Sequence, residues 1–376
     1  MHIYEKLGVH RYINAHDTYT VYGGSRMNAE TIAAMVEAAD SFVDMYELQV
    51  RLGEKIAEMT NNEAAYVANS ATGAMMLAAA AILCRGDMYL YSQLPDVSQI
   101  PRNEIIIIRS QKNAYVASVA ASGARIVEVG DADETLDWML EGAINDRTAA
   151  IFYFPNLLYE RASMPLEKVV EIAKRNNIPV VADAASQLPP KENLWKYTQM
   201  GVDLAIFSGG KSICGPQASG LILGRKELID FCIRFGAPVH GICRSCKGSR
   251  ESMIGLLVAL QQYLSMDHQK HWQELSKKTN RLVDIINSTK LLQGFRVEYG
   301  PVGQTVPRAF GRLPSSFSGH ELFEAMKNEG VFVGFDKVQK CMFLNPLNLT
   351  DEEIDIVETA LLKCVAALEF KAKNKI

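Results

Sequence analysis

The sequence has little of what marks a membrane protein, an exported protein or a nucleic-acid-binding protein. No segment of its 376 residues stays apolar long enough to span a bilayer. The N-terminal stretch MHIYEKLGVHRYINA has neither the apolar core of a signal peptide nor the Arg/Ser bias of a transit peptide. The net charge of −4 gives no general attraction for nucleic acid. These absences predict a cytoplasmic protein that acts on a small molecule and has neither a membrane nor a nucleic acid as partner.

Disulfide and metal frameworks are missing as well. The seven cysteines are an odd number spread over a long chain, which is typical of reduced thiols. Cys243 and Cys246 have the spacing of a metal or redox pair, but no second Cys or His pair accompanies them. His268 and His271 can share a helix face, and their polar surroundings indicate a solvated one. The sequence therefore predicts no metal site.

What the chain does have is a regular alternation of apolar strands and amphipathic helices from about residue 60 to 235. This alternation predicts an α/β fold with a mostly parallel sheet covered by helices. The predicted strands are Ala64–Ala68, Met88–Tyr91, Glu104–Arg109, Arg125–Val129, Ala149–Phe154, Pro179–Ala182, Val202–Phe207 and Gly220–Leu223. Long helices and short strands follow, then a last helix from Asp351 to about Phe370 and a lysine-rich tail that we expect to be disordered.

The apolar content of 48% is enough for two hydrophobic cores. We predict an N-terminal segment and helix over 1–45, a large domain over 46–240 that carries the candidate site, and a smaller C-terminal α/β domain over 241–376.

The segment VDLAIFSGGKSICGPQASG, residues 202–220, carries the most informative side chain, Lys211. Its first part is predicted to be a buried strand, so Lys211 should lie just past the strand end, where α/β sheets bind ligands. A partly desolvated lysine in such a place commonly forms a Schiff base with a carbonyl cofactor. Two alternatives stay open: a surface-loop lysine, and a phosphate-binding P-loop, in which Ala205 replaces the first glycine and Gly215-Pro216 stands where a helix is needed.

Two further motifs of the large domain indicate the same kind of site. Ser70, Thr72 and Gly73 lie between a predicted strand and an alanine-rich helix, where they would form an anion cradle. Asp183 ends another buried strand and needs hydrogen bonds or a cation, for which a protonated pyridine nitrogen is one candidate. An ordinary helix N-cap is the alternative for both motifs.

The cradle, the aspartate and Ser208-x-x-Lys211 occur in the order and spacing of pyridoxal 5'-phosphate (PLP) enzymes of the aspartate aminotransferase (type I) fold. Five segments resemble, more narrowly, the group around selenocysteine synthase (L-seryl-tRNA selenium transferase) and, within it, the D-glucosaminate-6-phosphate ammonia-lyases. These segments are INAHDTYTVYGGSRM (13–27), SFVDMYELQVRLGEKIAEMTNNEAAYVANSATGA (41–74), VVADAASQLPP (180–190), DLAIFSGGKSICGPQASGLILGR (203–225) and CRSCKGSRESMIGLLVAL (243–260). The resemblance runs from about Tyr4 to the Leu344-Asn-Pro segment.

The resemblance implies a role for each motif residue. Lys211 would form the Schiff base with PLP and, once freed by the substrate, act as a base at the substrate Cα. Asp183 would bind the pyridinium nitrogen and keep the ring a good electron sink. The other implied cofactor contacts are phosphate ligands (Ser70, Thr72, Gly73 and Ser208), a contact with one ring face (Ala185) and a contact with the ring hydroxyl (Gln187).

Two positions depart from the pattern of the ammonia-lyase relatives. Gln111, a predicted cofactor contact, stands where those relatives have a histidine, so a ring-stacking or acid/base group is lost or replaced. Asp17 stands where they have a glycine. Both departures bear on the substrate more than on the cofactor. For the substrate carboxylate or phosphate the candidate ligands are the cations Arg244, Lys247 and Arg308, with solvated surface charge as the alternative.

The reaction that the resemblance implies is α,β-elimination of ammonia-lyase type, on an amino acid or amino sugar acid with or without a phosphate group, giving a 2-oxo acid and ammonia. The same first steps serve racemisation, transamination, aldol cleavage and β-replacement, and the sequence does not choose among them. A P-loop nucleotide hydrolase and a non-catalytic tRNA-associated protein also stay open as functions. The family further implies a homodimer or higher oligomer, with Tyr19–Arg26 and Gln217–Ser219 contributing across the interface.

Overall fold

The structure is a computed structural model that describes residues 2–315 and 317–373. Its strands are β1 (Ile13–Asn14), β2 (Ala64–Ala68), β3 (Glu104–Ile108), β4 (Arg125–Val129), β5 (Thr148–Tyr153), β6 (Val180–Asp183), β7 (Leu204–Ser208), β8 (Gly220–Gly224), β9 (Gln293–Val297), β10 (Arg308–Arg312), β11 (Val331–Phe332), β12 (Gly334–Asp336) and β13 (Cys341–Leu344). Its helices are α1 (Ile3–Lys6), α2 (Ala29–Ala39), α3 (Met45–Thr60), α4 (Ala71–Cys84), α5 (Met88–Gln93), α6 (Val116–Ala120), α7 (Asp137–Ala143), α8 (Leu166–Arg175), α9 (Asn193–Met200), α10 (Lys226–Phe235), α11 (Arg250–Ser265), α12 (His268–Ser288), α13 (Gly319–Asn328) and α14 (Asp351–Lys373).

The chain folds into two compact units. The larger unit comprises Ser25–Ser265 and Pro301–Gln304, and the smaller unit takes the rest of the described residues. Among those residues, no helix is long and apolar enough to cross a membrane.

A seven-stranded sheet with the order β2-β8-β7-β6-β5-β3-β4 forms the centre of the larger unit. Strands β3 to β7 run parallel, and β8 is antiparallel to both of its neighbours, β2 and β7. Strand β3, with the sequence EIIII, is buried along its whole length, as expected of a sheet with both faces covered. The predicted fold, with a mostly parallel sheet, is confirmed. Because β2 runs in the same direction as β3 to β7, the carboxyl ends of these strands lie at one edge.

Helix α4 packs in the core of the larger unit, beside the sheet. Its sequence ATGAMMLAAAAILC is buried on almost every side, and its alanines allow neighbouring elements to approach closely. This helix is fixed at its first turn by the loop after β2, and it therefore presents its N-terminus at the carboxyl edge of the sheet.

The smaller unit is built on an antiparallel sheet with the order β12-β13-β10-β9 and on a parallel pair of β1 with β11. Apolar residues of α12, α13 and α14 fill its core, among them Leu282, Met326 and Leu361. The tail after Phe370 is predicted to be disordered, but its residues 371–373 continue α14, so the prediction is wrong for these three residues. Residues 374–376 lie outside the described part of the chain.

The boundaries of the two units differ from the predicted domain boundaries, which lie between residues 45 and 46 and between residues 240 and 241. Helix α11 belongs to the larger unit because it packs closely on α2. A side chain at Gly255 would come within 2.7 Å of Met35 and Pro216. The N-terminal segment belongs to the smaller unit because Ile13 pairs with Val331. Both assignments depend on partners that are far apart in the sequence.

One predicted strand is wrong. Met88–Tyr91 is the start of helix α5, which Asp87 caps by accepting hydrogen bonds from the N–H groups of Tyr89 (2.8 Å) and Leu90 (3.1 Å). A short apolar run does not by itself distinguish a strand from a helix, whereas an aspartate immediately before such a run favours a helix start. The other strands lie within two residues of their predicted bounds.

Candidate active site

Four loops, each following a strand, lie at the edge of the large sheet formed by the carboxyl ends of its parallel strands. These loops carry the predicted cofactor residues. The loop after β2 leads to Ser70, the one after β3 to Gln111, the one after β6 starts at Asp183 and the one after β7 holds Lys211. The shared strand direction places these four loops on the same side of the larger unit. Within the described residues, no three His, Cys, Asp or Glu side chains form a metal-binding group.

Lys211 lies in a tight turn three residues past the end of β7. Its Nζ donates a hydrogen bond to the hydroxyl of Ser186, on the loop after Asp183. The turn is closed by the N–H of Gly215, which donates to the carbonyl of Gly209 at 2.8 Å. A side chain at Gly209 would clash with the hydroxyl of Ser219, so the backbone can approach β8 closely only with glycine there. Ser208, the last residue of β7, pairs with the first residue of β8.

The P-loop alternative requires a helix immediately after the lysine. The described residues 209–219 form turns, bends and irregular chain, with no helix whose amide groups could bind a phosphate. The surface-loop alternative is also unsatisfactory, because the Lys211 side chain is half-buried and turned towards the Asp183 loop.

Asp183 ends β6, between the parallel strands β5 and β7. Its Oδ1 accepts a hydrogen bond from the N–H of Ala185 at 3.1 Å. The residue keeps some exposed surface, but burial of the carboxyl group raises the pKa of Asp183, and the Ala185 hydrogen bond and the positive charge of Lys211 oppose that rise. A further cation beside this carboxylate would stabilise its charged form. The N-cap alternative is wrong for Asp183, since the next helix begins at Asn193.

Ser70 is the N-cap of α4, and its Oγ accepts a hydrogen bond from the N–H of Gly73 at 2.9 Å. The same hydroxyl donates to Asn69 Oδ1 at 3.1 Å. A side chain at Gly73 would clash with that oxygen, and a side chain at Gly220 would clash with the backbone of Ser70. Thr72 is exposed in the first turn. The N-cap is therefore real, and it is compatible with an anion cradle, because the first amide groups of a helix have no partner within the helix.

A short helical turn over Ile242–Cys246 braces this cradle. The backbone N–H of Asn69 donates to the carbonyl of Cys246 at 3.1 Å, and its side-chain Nδ2 donates to the carbonyl of Ser245 at 2.9 Å. Arg244 lies on the same turn and is half-buried, and Lys247 follows it and is exposed. Two of the three predicted substrate cations thus lie on the segment that packs against the predicted phosphate cradle. Sequence reasoning missed Asn69, although it directly precedes the N-cap serine.

Arg250, the next cation of this segment, has a structural role. Its Nε and Nη2 donate to the carbonyls of Ala38 (2.9 Å) and Ala39 (2.7 Å) at the end of α2, and it pairs with Glu251 at 3.0 Å. Helix α11 begins at Arg250, so Arg244 and Lys247 precede it in the chain.

The two predicted glutamine contacts hold backbone segments at the sheet edge. Gln111 is buried, accepts the N–H of Phe154 at 2.8 Å and donates to the hydroxyl of Ser163. Gln187 Nε2 donates to the carbonyls of Pro155 (3.2 Å) and Val302 (2.7 Å). Both amide hydrogens of Gln187 are engaged, so only its Oε1 is left for the predicted ring-hydroxyl contact.

Arg308 lies in the smaller unit as part of a buried ion pair. Its Nη2 donates to Asp17 Oδ2 at 2.8 Å, and only 2% of Arg308 and 5% of Asp17 are exposed. Nη1 donates to the carbonyl of Val306 at 3.0 Å. Asp17 therefore neutralises the guanidinium that the sequence offers as a carboxylate ligand. The unusual residue at position 17 and the candidate arginine are one structural pair.

Comparison with known proteins gives a consistent set of relatives. A family model described as SelA: L-seryl-tRNA selenium transferase matches residues 45–277. The D-glucosaminate-6-phosphate ammonia lyase of Salmonella typhimurium is 34% identical over 266 residues, 69% of this chain and 70% of that protein. The 5'-C-glycyluridine monooxygenase-decarboxylase of a Streptomyces species is 32% identical over 84% of this chain and 78% of that protein.

Solved structures extend the likeness to almost the whole chain. A structure of D-glucosaminate-6-phosphate ammonia-lyase superposes with a TM-score of 0.84 and 27% identity, and covers 98% of this chain and 99% of that one. A NifS-like protein matches with a TM-score of 0.62 at 17% identity, which shows the fold alone.

Proposed function

Because the chain belongs to the L-seryl-tRNA selenium transferase (SelA) family, we propose that it is a PLP-dependent lyase that eliminates a β-substituent from a 2-amino acid. The products are a 2-oxo acid and ammonia. The observation that carries this proposal is the likeness to D-glucosaminate-6-phosphate ammonia-lyase. A sequence of that name is 34% identical over 69% of the chain, and a structure of that name superposes over 98% of the chain at 27% identity.

The substrate class follows from what the relatives' names share. Glucosaminate and a seryl group are both 2-amino acids with a hydroxyl on the next carbon. We therefore expect a 2-amino-3-hydroxy acid, of the amino sugar acid type, with a carboxylate and optionally a phosphate. Arg244 and Lys247, beside the cradle of α4, are the proposed ligands of these anionic groups.

The residues at the sheet edge fit PLP. Only glycine at position 73 lets the first turn of α4 lie this close to Asn69, since a Cβ there would clash with the Asn69 side chain, and this turn is where the phosphate would bind. The buried carboxyl group of Asp183 matches a pyridinium nitrogen, and Lys211 supplies the amine. When bound there, PLP supplies an electron sink for a carbanion at the substrate Cα.

The residues of the chain have two further roles in this proposal, cofactor binding and proton transfer. Ser70, Thr72, Gly73 and Ser208 are the proposed phosphate ligands, and Ala185 and Gln111 are proposed to contact the ring faces. Asp183 keeps the ring nitrogen protonated. Lys211 holds the cofactor between turnovers and takes the Cα proton, and its hydrogen bond with Ser186 orients Nζ. The elimination releases one water from the β-carbon, and the hydrolysis that releases ammonia consumes one water. The net products are therefore the 2-oxo acid and ammonia.

The Gly73 cradle gives a direct test of cofactor binding. We expect Gly73→Ala to raise the PLP dissociation constant by about tenfold or more, since the new Cβ displaces Asn69 and costs about one hydrogen bond. Gly142→Ala is a matched control, because Gly142 also lies in a helix and a Cβ there meets no atom within 4 Å. Titration of the apoprotein with PLP measures both constants. Equal PLP dissociation constants for the two variants would show that this cradle does not bind the cofactor phosphate.

An oxygen-dependent decarboxylation is the second candidate function. The relative named 5'-C-glycyluridine monooxygenase-decarboxylase matches 84% of the chain, more than the 69% matched by the ammonia lyase sequence. Such a reaction consumes O₂ and releases CO₂, whereas elimination does neither.

One assay separates the two functions. The holoenzyme is incubated with D-glucosaminate 6-phosphate, D-glucosaminate or serine, while 2-oxo acid, ammonia, O₂ and CO₂ are measured. We expect 2-oxo acid and ammonia in equal amounts, without O₂ uptake, for at least one substrate. Stoichiometric O₂ uptake with CO₂ release would support the second function. A holoenzyme that leaves all three substrates unchanged would overturn the proposed elimination on this substrate class.

We further propose that the enzyme is a cytoplasmic homodimer or higher oligomer, with Tyr19–Arg26 and Gln217–Ser219 at the interface. Large apolar side chains on and after α2 support association, because Val36 is 67% exposed and Phe42 97% exposed. Light scattering of the active enzyme checks this proposal, and a fully active monomer would contradict it.

A further inference from the structure

The smaller unit contains a cavity of about 660 Å³, a volume within the range of small-molecule sites. Aromatic rings from three parts of this unit line it: His16 and Tyr22 from the N-terminal segment, Phe317 and Phe323 around the start of α13, and Phe335 from β12. All five side chains are half-buried. Residues proposed to hold PLP are not among those that line this cavity.

Packing fixes the aromatic walls in place. The ring of His16 lies 4.4 Å from that of Tyr22 and 5.1 Å from that of Phe343. The ring of Phe335 lies directly against Gly319, where any side chain would clash with it. Burial lowers the pKa of His16 to about 4, so at neutral pH this residue adds a neutral aromatic surface. The rings that line the cavity are thus held in place before any ligand binds, and a planar group can stack on them.

The charge around the cavity has one sign. Lys337 and Lys340 line it and are exposed, and no Asp or Glu is found among its described lining residues. Helix α13, ten residues long, begins at the cavity with Ser318 as its N-cap, which adds the positive end of its dipole. An anionic group is therefore favoured at the exposed side, whereas the walls favour a ring.

We propose that this cavity binds a small ligand that combines an aromatic ring with an anionic group, of the nucleoside monophosphate class. The ring stacks between the aromatic walls, and the phosphate lies near Lys337 and Lys340. This is a binding function beyond the elimination reaction, and it does not depend on the chemistry at Lys211.

The test measures binding of uridine 5'-monophosphate to the holoenzyme by calorimetry, with uridine and ribose 5-phosphate as partial ligands. We expect the nucleotide to bind at least about tenfold more tightly than either part, because stacking and charge each contribute. Equal affinity for the nucleotide and for ribose 5-phosphate would overturn the proposal, since it would leave the aromatic walls without a role.

Two variants locate the binding. Phe335→Leu removes one ring, and the double variant Lys337→Glu, Lys340→Glu reverses the charge of two exposed side chains. We expect each to weaken nucleotide binding at least about tenfold. The matched control is Lys270→Glu, Lys277→Glu on α12, which changes the net charge equally at exposed positions away from the cavity lining. Unchanged binding in the charge-reversal variant, or an equal loss in the control, would overturn the assignment.

Discussion

Replacing Lys211 by arginine is expected to lower turnover by at least about a thousandfold. The guanidinium keeps a positive charge near Asp183 and Ser186, but it stays protonated and can neither bond covalently to the cofactor nor take a proton from Cα. Loss of a positioned general base alone lowers rates by about 10²- to 10⁴-fold. The turnover number of the PLP-loaded variant measures this effect.

The control for this substitution is Lys196→Arg, an exposed lysine on α9. We expect its turnover to equal that of the wild type. If Lys211→Arg retained more than about a tenth of the activity, the lysine would act through its charge alone, and the proposed base would lie elsewhere.

Replacing Asp183 by asparagine is expected to lower turnover by roughly 10²- to 10⁴-fold, since removal of one partner of a buried ion pair costs about 3–5 kcal/mol. Asparagine has nearly the same size and can still accept the hydrogen bond from Ala185. A neutral amide, however, cannot keep the cofactor's ring nitrogen protonated. The turnover number at saturating PLP measures the loss.

Asp87→Asn provides the matched control for Asp183. Asp87 caps α5 by accepting two backbone hydrogen bonds, and asparagine is an equally good N-cap. This control should keep full activity. If Asp183→Asn were equally active, the carboxylate would have no part in activating the cofactor.

Local patterns were enough to predict the fold class and a candidate Schiff-base lysine, whereas the lyase class was implied by the family resemblance. The continuous apolar run before Ser208 predicts β7, and the strand direction that follows from α/β alternation places Asp183 and Lys211 at one edge. The family resemblance, the fold, the PLP cofactor and the lyase class are all confirmed by the comparisons. The sequence contains this information because a strand, a turn glycine and the side chain that follows them are neighbours in the chain.

Partners far apart in the chain could not be predicted. The charge of Arg308 is evident from the sequence, but its pairing with Asp17, 291 residues away, is not. Arg250 is likewise used to hold the end of α2. Whether a cation can also bind substrate depends on such tertiary partners, and the role of Arg308 as a carboxylate ligand stays a prediction.

The domain division shows the same limitation. Composition and pattern change after residue 236, but the contacts of α11 with α2 and of β1 with β11 assign these segments to the other unit. Asn69 was missed for a related reason: its role appears only when the Ile242–Cys246 turn packs against it.

The covalent attachment of PLP is the most direct test of the account. The purified protein is incubated with PLP, its near-ultraviolet and visible absorption is recorded, and borohydride reduction is followed by peptide mass spectrometry. The account predicts an absorption band that borohydride abolishes and a pyridoxyl group on the peptide that contains Lys211. A protein that stays colourless, or a pyridoxyl group on a different lysine, would contradict it.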